Sequence, residues 1–342
     1  MTQAAPYEGT ASEWDAFAAR YRGYTHFHRY AWKSVIEETF GHQCLYLSVR
    51  DGSGALAGVL PLVRVKSLLF GHYLVSLPFV NYGGPLGEPD AVRDLVASAV
   101  EEAARSGAKL LELRSRVELP VDLAVSHRKI TVVLDLPSDA DALFKSFTSK
   151  LRSQVRRPMK DGVTMRFGAD QVGPFFDVFS RHMRDLGTPT LPHRFFEAIA
   201  RAFPTDATFG CAWHDGRPVA CGAGFSWGTE FEMTWASSLV EFNKLSPNML
   251  VYWEFMQRVV AQGGGVFNFG RCTPDSGTHR FKRQWGSRDE PLWWYQRTAQ
   301  GVGEAATPSP DQGKYRWGPR LWKHLPLAAS RWLGPRIVRL IP

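Results

Sequence analysis

The sequence predicts an α/β (α+β) protein of two tandem lobes, each a mixed sheet flanked by helices. Three observations carry this reading. The chain has 342 residues, more than one core usually fills, and is comfortable for two lobes of roughly 140–160 residues each. An order of hairpin, strand, helix and strand occurs twice along it. Between the two occurrences lies a basic amphipathic segment with helical periodicity. The boundaries read from this are 1–136 for the N-terminal lobe, 137–298 for the C-terminal lobe, 299–313 for a linker and 314–342 for a basic, Trp-rich tail.

Composition narrows the class. The 44% hydrophobic and 22% charged content is that of a globular protein. No window of about 18 apolar residues is present to span a bilayer. The N-terminus lacks a basic segment followed by an apolar one, so no signal peptide is read and the lobes are expected in the cytoplasm. Cys44, Cys211, Cys221 and Cys272 form no Cys-x-x-Cys pair, which fits buried, reduced thiols and no zinc site. Of the net charge of +8, the stretch from Gly313 to Pro342 carries +7, with no Asp or Glu.

Taken in order, residues 11–40 set Trp14, Phe17, Tyr21, Trp32, Ile36 and Phe40 at helical spacing. His26 and His28 alternate among them without a carboxylate cluster, and no metal site is expected. Leu45 to Val49, Asp51-Gly52 and Leu56 to Val63 read as strand, turn and strand. Apolar runs from Leu68 to Phe79 follow, then the turn Asn81-Tyr82-Gly83-Gly84, a helix over Ala91 to Ala104 stopped by Gly107, and a strand Leu110 to Leu113. The second round is Cys211 to His214, Asp215-Gly216, Val219 to Ser226, Phe231 to Ala236, a helix from Ser246 to Ala261 and a strand Val266 to Phe269. Each round predicts a parallel strand pair bridged by one helix.

The intervening segment, Ser138 to Lys160, places Leu143, Phe147, Leu151 and Val155 on one face and Lys145, Arg152 and Arg156 on another, with Pro158 expected to end or kink the helix. Two readings stand for the cations: a solvated face, or a contact with a polyanion such as tRNA or a nucleotide diphosphate. Phe175, Phe176, Phe179 and Met183 mark another amphipathic helix that closes at Arg184-Asp185-Leu186-Gly187. Arg184 and Asp185 either pair with each other or serve a substrate amine or hydroxyl. Ser246-Pro247-Asn248 is a helix start whose free amides attract anions. Phe267 to Trp285 runs from an apolar strand through a Pro-Asp-Ser-Gly turn into Arg271, Arg280, Lys282, Arg283 and Gln284, a strand that delivers cations to a cleft. Trp317, Trp322 and Trp332 among the tail cations read either as a membrane-surface segment or as a tail packed on the lobes.

No nucleophile elbow, Walker loop or zinc-protease motif is present. Gly301-Val302-Gly303-Glu304-Ala305-Ala306 fits the dinucleotide pattern by letter but falls in the linker, with no βαβ unit behind it. The glycine-rich loop of ordinary acetyl-CoA-dependent acetyltransferases is also missing.

Several strings resemble the FemAB-type transferases: Ser149-Lys150-Leu151-Arg152-Ser153-Gln154-Val155-Arg156-Arg157 with Lys160 and Gly162, then Asn268-Phe269-Gly270-Arg271, Gly277-Thr278, Phe281-Lys282 and Trp285-Gly286. Leu60-Pro61-Leu62, Asn81 to Gly84, Met183 to Pro189 and Asn248-Met249-Leu250 are similar to the branch associated with exosortase (PEP-CTERM/exopolysaccharide) systems. The resemblance implies tandem GNAT-like (acyl-CoA N-acyltransferase-type) lobes with a cleft between them. It also implies N-acyl or aminoacyl transfer to an amine of a cell-envelope or exopolysaccharide precursor. The donor would be aminoacyl-tRNA or acyl-CoA, with no tightly bound cofactor and no DNA partner. On this reading Lys282 is the oxyanion or phosphate cation, Asp185 a base and Tyr82 a hydroxyl donor. Arg271, Arg184, Arg152, Arg156, Asn248, Asn268, Gln284 and Trp285 hold substrate. Asn268 stands where the family often has Asp, so no acid is assigned there. The tail adds a peripheral contact with the inner face of the cytoplasmic membrane. The rival class is a non-catalytic membrane-surface component of exopolysaccharide assembly.

Overall fold

The computed structural model describes residues 4–67, 70–299 and 317–341. Most of the linker expected over 299–313, with the dinucleotide-like string, and Lys314, Arg316 and Pro342 of the tail lie outside the described residues. The first elements are β1 (Ala5–Pro6), α1 (Ala11–Ala18), α2 (Trp32–Phe40), β2 (Gln43–Arg50), β3 (Leu56–Ser67) and β4 (Gly71–Val75). Then come β5 (Leu86–Gly87), α3 (Pro89–Arg105), β6 (Leu110–Ser115), β7 (Ala124–Ser126) and β8 (Ile130–Asp135). The basic segment forms α4 (Ala140–Ser146) and α5 (Ser149–Lys160), followed by β9 (Thr164–Phe167), α6 (Val172–Leu186) and α7 (His193–Ala202). The second round is β10 (Ala207–His214), β11 (Arg217–Trp227), β12 (Glu230–Ser238), α8 (Pro247–Ala261) and β13 (Val266–Cys272). The chain closes with α9 (Gly277–Arg283), β14 (Arg288–Pro291), β15 (Trp293–Thr298), α10 (Trp317–Trp322) and α11 (Leu327–Val338).

Two mixed sheets result. The first runs β1-β2-β3-β4-β6-β15-β7 with β5 on β3, and the second runs β14-β8-β13-β12-β11-β10-β9. Each holds the expected parallel pair, β4 with β6 and β12 with β13, bridged by α3 or α8. The chain divides into two units: residues up to Lys129 with β15, and Ile130–Glu290 with the tail helices through Arg336. Strands therefore cross the boundaries expected from the sequence. Residues 130–136 carry β8 into the second sheet, and β15, expected in the C-terminal lobe, belongs to the first. Both are edge completions supplied from distant sequence, which local periodicity does not reveal.

The basic segment differs in one respect from the single helix expected. Phe147 is extended, at ψ 150°, and Thr148 caps a new helix through its side chain on the Leu151 amide. Leu143, Phe147, Leu151 and Val155 are nonetheless all buried in the second core. Pro158 does not end α5, which runs on to Lys160. Asp215 and Gly216 both have positive φ, as a two-residue hairpin turn requires. Among the described residues no helix is long and apolar enough to cross a membrane.

The tail helices pack on α6. Arg331 donates to Ser180 Oγ at 2.9 Å and to the Asp177 carboxylate at 2.8 Å, and its guanidinium lies 5.3 Å from the Phe176 ring centroid. Gly334 and Gly187 allow the close approach: a Cβ on Gly334 would lie 2.8 Å from Thr190 N, and one on Gly187 2.5 Å from Pro319 O.

In the first unit, His28 is buried and its tautomer is set by its partners. Nδ1 accepts from the Thr25 amide at 3.1 Å, and Nε2 donates to the Gly84 carbonyl at 3.0 Å. Burial brings its pKa down from 6.5 to about 4. Because the folded value lies below the unfolded one, the unfolded chain binds the extra proton between them. The stabilisation is whole above pH 6.5 and is lost as pH falls toward 4. The loss expected from this residue is about 3 kcal/mol. Urea denaturation at neutral pH and near the lower limit should show it, and His28→Gln should flatten the dependence; an equally steep dependence in the variant would refute the assignment.

Candidate active site

The second sheet opens where its parallel pair ends. β12 and β13 are in register only at Glu230↔Val266, Phe231↔Phe267 and Glu232↔Asn268. Beyond that point each strand bulges against its outer neighbour. β12 shifts register against β11 between Ala223 and Gly224, leaving Thr234 as the extra residue, and β13 shifts against β8 between Asn268 and Arg271. A bulge bends its strand. Two bulges on neighbouring strands spread them into a wedge.

Side chains hold the β13 bulge. The Asn268 carbonyl oxygen accepts from the Gly270 amide at 2.8 Å and from Thr131 Oγ1 at 2.7 Å, while its amide nitrogen donates to Glu230 at 2.7 Å. Lys282 Nζ reaches back from α9 to the carbonyls of Gly270 at 2.6 Å and Arg271 at 3.0 Å. Gly224 meets the same demand on the other side, since a Cβ there would lie 2.0 Å from the Glu232 carbonyl oxygen.

A cavity of about 290 Å³ lies in the second lobe on the β12 side of this wedge. Its wall comprises His182 of α6, Cys221 of β11, Ala236, Ser237 and Ser238 of β12, Asn248, Val251 and Tyr252 of α8, and Gly277, Thr278 and Phe281 of α9. The α8 end of the wall is a helix start with Pro247 first, as expected. Ser246, however, sits in the left-handed region at φ 54° and makes no side-chain cap.

The first lobe treats its own parallel pair differently. After Tyr73↔Leu110, Leu74↔Leu111 and Val75↔Glu112, Ser76, Gly83 and Gly84 still bond to β6. Ser76 N donates to Glu112 O at 2.9 Å, and the Gly83 and Gly84 amides both donate to Arg114 O, at 3.1 and 2.9 Å. The Arg114 guanidinium is buried, bonded to Glu112 at 2.7 Å and to the Val80 carbonyl at 3.2 Å. The returning chain thus lies where the first lobe's parallel pair ends.

These placements redistribute the residues expected from the sequence. Asn248 lines the cavity. Lys282 does not project a cation into a cleft: it is 3% exposed and spends two N–H groups on β13 carbonyls, and burial lowers its pKa from 10.5 to about 8. Asn268 is fully buried with its amide committed to the bulge, so it holds backbone rather than substrate. Trp285 is a core residue, 5.4 Å from the Phe147 ring, and Tyr82 is a core residue of the first unit beside Phe27. Asp185 accepts two bonds from Arg184, at 2.9 and 2.6 Å, so the two are paired. Arg271 is half-buried and Gln284 exposed; neither is on the cavity wall.

The α5 cations border a separate hollow of about 480 Å³ with Ser149, Ser153, Lys160 and Asp161. Arg152 is committed to the Lys145 and Phe147 carbonyls and so caps α4, and Arg156 stacks on Phe144 at 4.9 Å. Sequence reasoning missed His182. It lies seven residues after Phe175 and three after Phe179, which places an imidazole on the apolar stripe of α6. That was the available signal.

Comparison with known proteins agrees with this architecture. Residues 145–283 match the family model described as Acetyltransferase (GNAT) domain. The UDP-N-acetylmuramoylpentapeptide-lysine N(6)-alanyltransferase of Weissella viridescens is 26% identical over 158 residues, covering 45% of this chain and 47% of that protein. The match thus spans about half the length of that relative. The crystal structure of FemX superposes with a TM-score of 0.64 at 17% identity, over 84% of this chain and 96% of that one. A tandem GNAT protein from the clavulanic acid biosynthesis pathway superposes with a TM-score of 0.52 at 14% identity, over 89% and 99%. The fold is a pair of tandem GNAT-like lobes.

Asn268→Ala leaves the Gly270 amide and the Thr131 hydroxyl buried without this acceptor, at a cost of about 1–3 kcal/mol for each group left unpaired. A lowered midpoint in thermal melts is expected; a wild-type midpoint would show that the bulge does not depend on this side chain.

Proposed function

We propose that this protein is an amide-forming transferase that moves an aminoacyl or acyl group onto an amine of a cell-envelope precursor. The observation that carries the reading is the open wedge of the second lobe. Splayed parallel strands leave the β12 backbone at Ala236–Ser238 beside a partly apolar cavity, where an extended, amide-bearing arm can bond as an added strand. The start of α8 offers its amides to an anionic part of the donor. Aminoacyl-tRNA is the preferred donor, on the strength of the similarity to a lysine N(6)-alanyltransferase, with acyl-CoA as the alternative. An exopolysaccharide precursor is the finer reading of the acceptor, taken from the motif resemblance to the exosortase-associated branch.

In this reading Lys282 is a positioning residue, since its bonds to Gly270 and Arg271 hold α9, and with it Thr278 and Phe281, against the cavity. Arg271 is the substrate clamp, and the α5 hollow is a contact for donor phosphates. Incubation with alanyl-tRNA or acetyl-CoA and UDP-N-acetylmuramoyl pentapeptide, followed by mass spectrometry, tests the transfer. Ser238→Trp, which places an indole at the β12 wall, should weaken donor binding at least about tenfold with an unchanged melting temperature. Lys282→Ala should lower both melting temperature and transfer. Full transfer by the Ser238 variant would remove the cavity from the reaction.

A peripheral membrane contact is supported by the tail. One face is docked on α6, while Leu321 and Trp332 are 68% and 60% exposed, and Arg336 lies 4.0 Å from the Trp332 ring centroid. Exposed apolar groups among cations suit the interface of an anionic bilayer at the cytoplasmic face. Trp332→Ser combined with Leu321→Ser should cut co-sedimentation with phosphatidylglycerol vesicles about tenfold and leave the melt unchanged. Binding that is unaffected by the pair, or equal on neutral vesicles, would defeat this contact.

A further inference from the structure

An amine that attacks an acyl carbon must shed a proton before the amide is complete, so the transfer proposed above, on which this inference rests, needs a proton acceptor in the cavity. Three residues of its wall titrate: His182 from α6, Cys221 from β11 and Tyr252 from α8. Wall residues such as Ser237, Asn248 and Thr278 hold no base. We propose that His182 is the general base of this site, its imidazole taking the proton of the attacking amine and returning it to the leaving group.

Placement and chemistry agree. His182 sits on the packed face of α6, and its Nδ1 is buried with no hydrogen-bond partner among the described residues. Because Nδ1 is closed to solvent, the ring meets a substrate through Nε2, which offers a free electron pair when Nδ1 carries the ring proton. Burial drives the Cys221 thiol and the Tyr252 phenol up, and both keep their protons at neutral pH. Burial drives His182 down, against a smaller upward pull from Asp185 on the same helix, so its imidazole is neutral and able to accept. Asp185 is itself held by Arg184, and the β12 and α9 walls contribute no charged group. In the step, the amine nitrogen bonds the acyl carbon while the C–O bond of an ester donor, or the C–S bond of a thioester donor, breaks. The proton lost by nitrogen passes to His182 and then to the departing alkoxide or thiolate, leaving neutral imidazole.

The test uses the full chain, alanyl-tRNA and acetyl-CoA as donors, and two acceptors: UDP-N-acetylmuramoyl pentapeptide bearing lysine, and hydroxylamine. If the wild type transfers from neither donor, the proposed function falls and this inference with it. If it transfers, His182→Gln should keep its melting temperature and KM and lose about 10²–10⁴-fold in kcat toward the lysine amine. The loss should be smaller with hydroxylamine, whose weakly basic nitrogen gives up its proton more readily. A variant within about twofold of wild type in transfer to lysine overturns the assignment while leaving the transferase reading intact. The wild-type pH profile is a check that needs no variant: kcat should fall on the acid side of neutrality as the imidazole is protonated, and a flat acid limb overturns the proposal equally.

Discussion

The second lobe depends on a carboxamide turned inward onto its own backbone. Asn268 accepts from the amide of Gly270 two residues ahead and from Thr131 on the neighbouring strand, and so holds β13 in a bulge where a regular ladder would run on. Gly270 has φ 73°, a conformation that a side chain would strain. Lys282 then binds the carbonyl that this turn exposes, joining α9 to the bulge. Burying an ammonium is costly, and its two carbonyl bonds with the nearby Glu232 offset only part of the desolvation. The string Asn-Phe-Gly-Arg followed by Phe-Lys is, physically, one device for bending a strand and fixing the bend.

The two lobes show what such a bend permits. Both begin a parallel pair three residues long, and both pairs end at a buried polar residue on the later strand, Glu112 in the first and Asn268 in the second. In the first lobe Glu112 takes Arg114 and Gln296 as partners, and Arg114 holds the returning chain through Val80. Gly84 can lie on β6 because it lacks a side chain: a Cβ there would come within 3.1 Å of Ser115 Cβ. The same opening is therefore closed by the chain in one lobe and lined with mixed polar and apolar side chains in the other. The two lobes repeat one architecture, and at the end of the parallel pair they differ in the nine residues from Ser76 to Gly84.

Regular elements were legible because their signals are local. The hairpins, α3, α8 and the parallel pairs follow from alternation, helical spacing, Gly107 and Pro247. The positions of β8 and β15 were not legible, since each completes a sheet whose other strands lie far away in sequence. At the site, side-chain type suggested exposure that packing overrode. Lys282 and Tyr82 read as catalytic groups and Asn268 as a substrate contact, yet each is buried. Whether a polar group faces water or satisfies backbone depends on bulges, and bulges follow from register between strands. His182 was hidden for the converse reason, because an imidazole on an apolar stripe reads as packing until a cavity is found beside it.

The wall chemistry also bears on the route of the proposed transfer. A covalent acyl-enzyme needs a nucleophile in the cavity, and Cys221 is the wall residue with the chemistry for it. Nucleophilic cysteine is a thiolate stabilised by a nearby positive charge. Cys221 instead lies among buried groups, its Sγ donates to the Phe175 carbonyl at 3.6 Å, and burial holds its proton firmly. The hydroxyls of Ser237, Ser238 and Thr278 share the wall with His182 but with no carboxylate residue that would complete a triad there. Direct attack by the acceptor amine is the route the proposal takes, with the donor laid along β12 and His182 as the base.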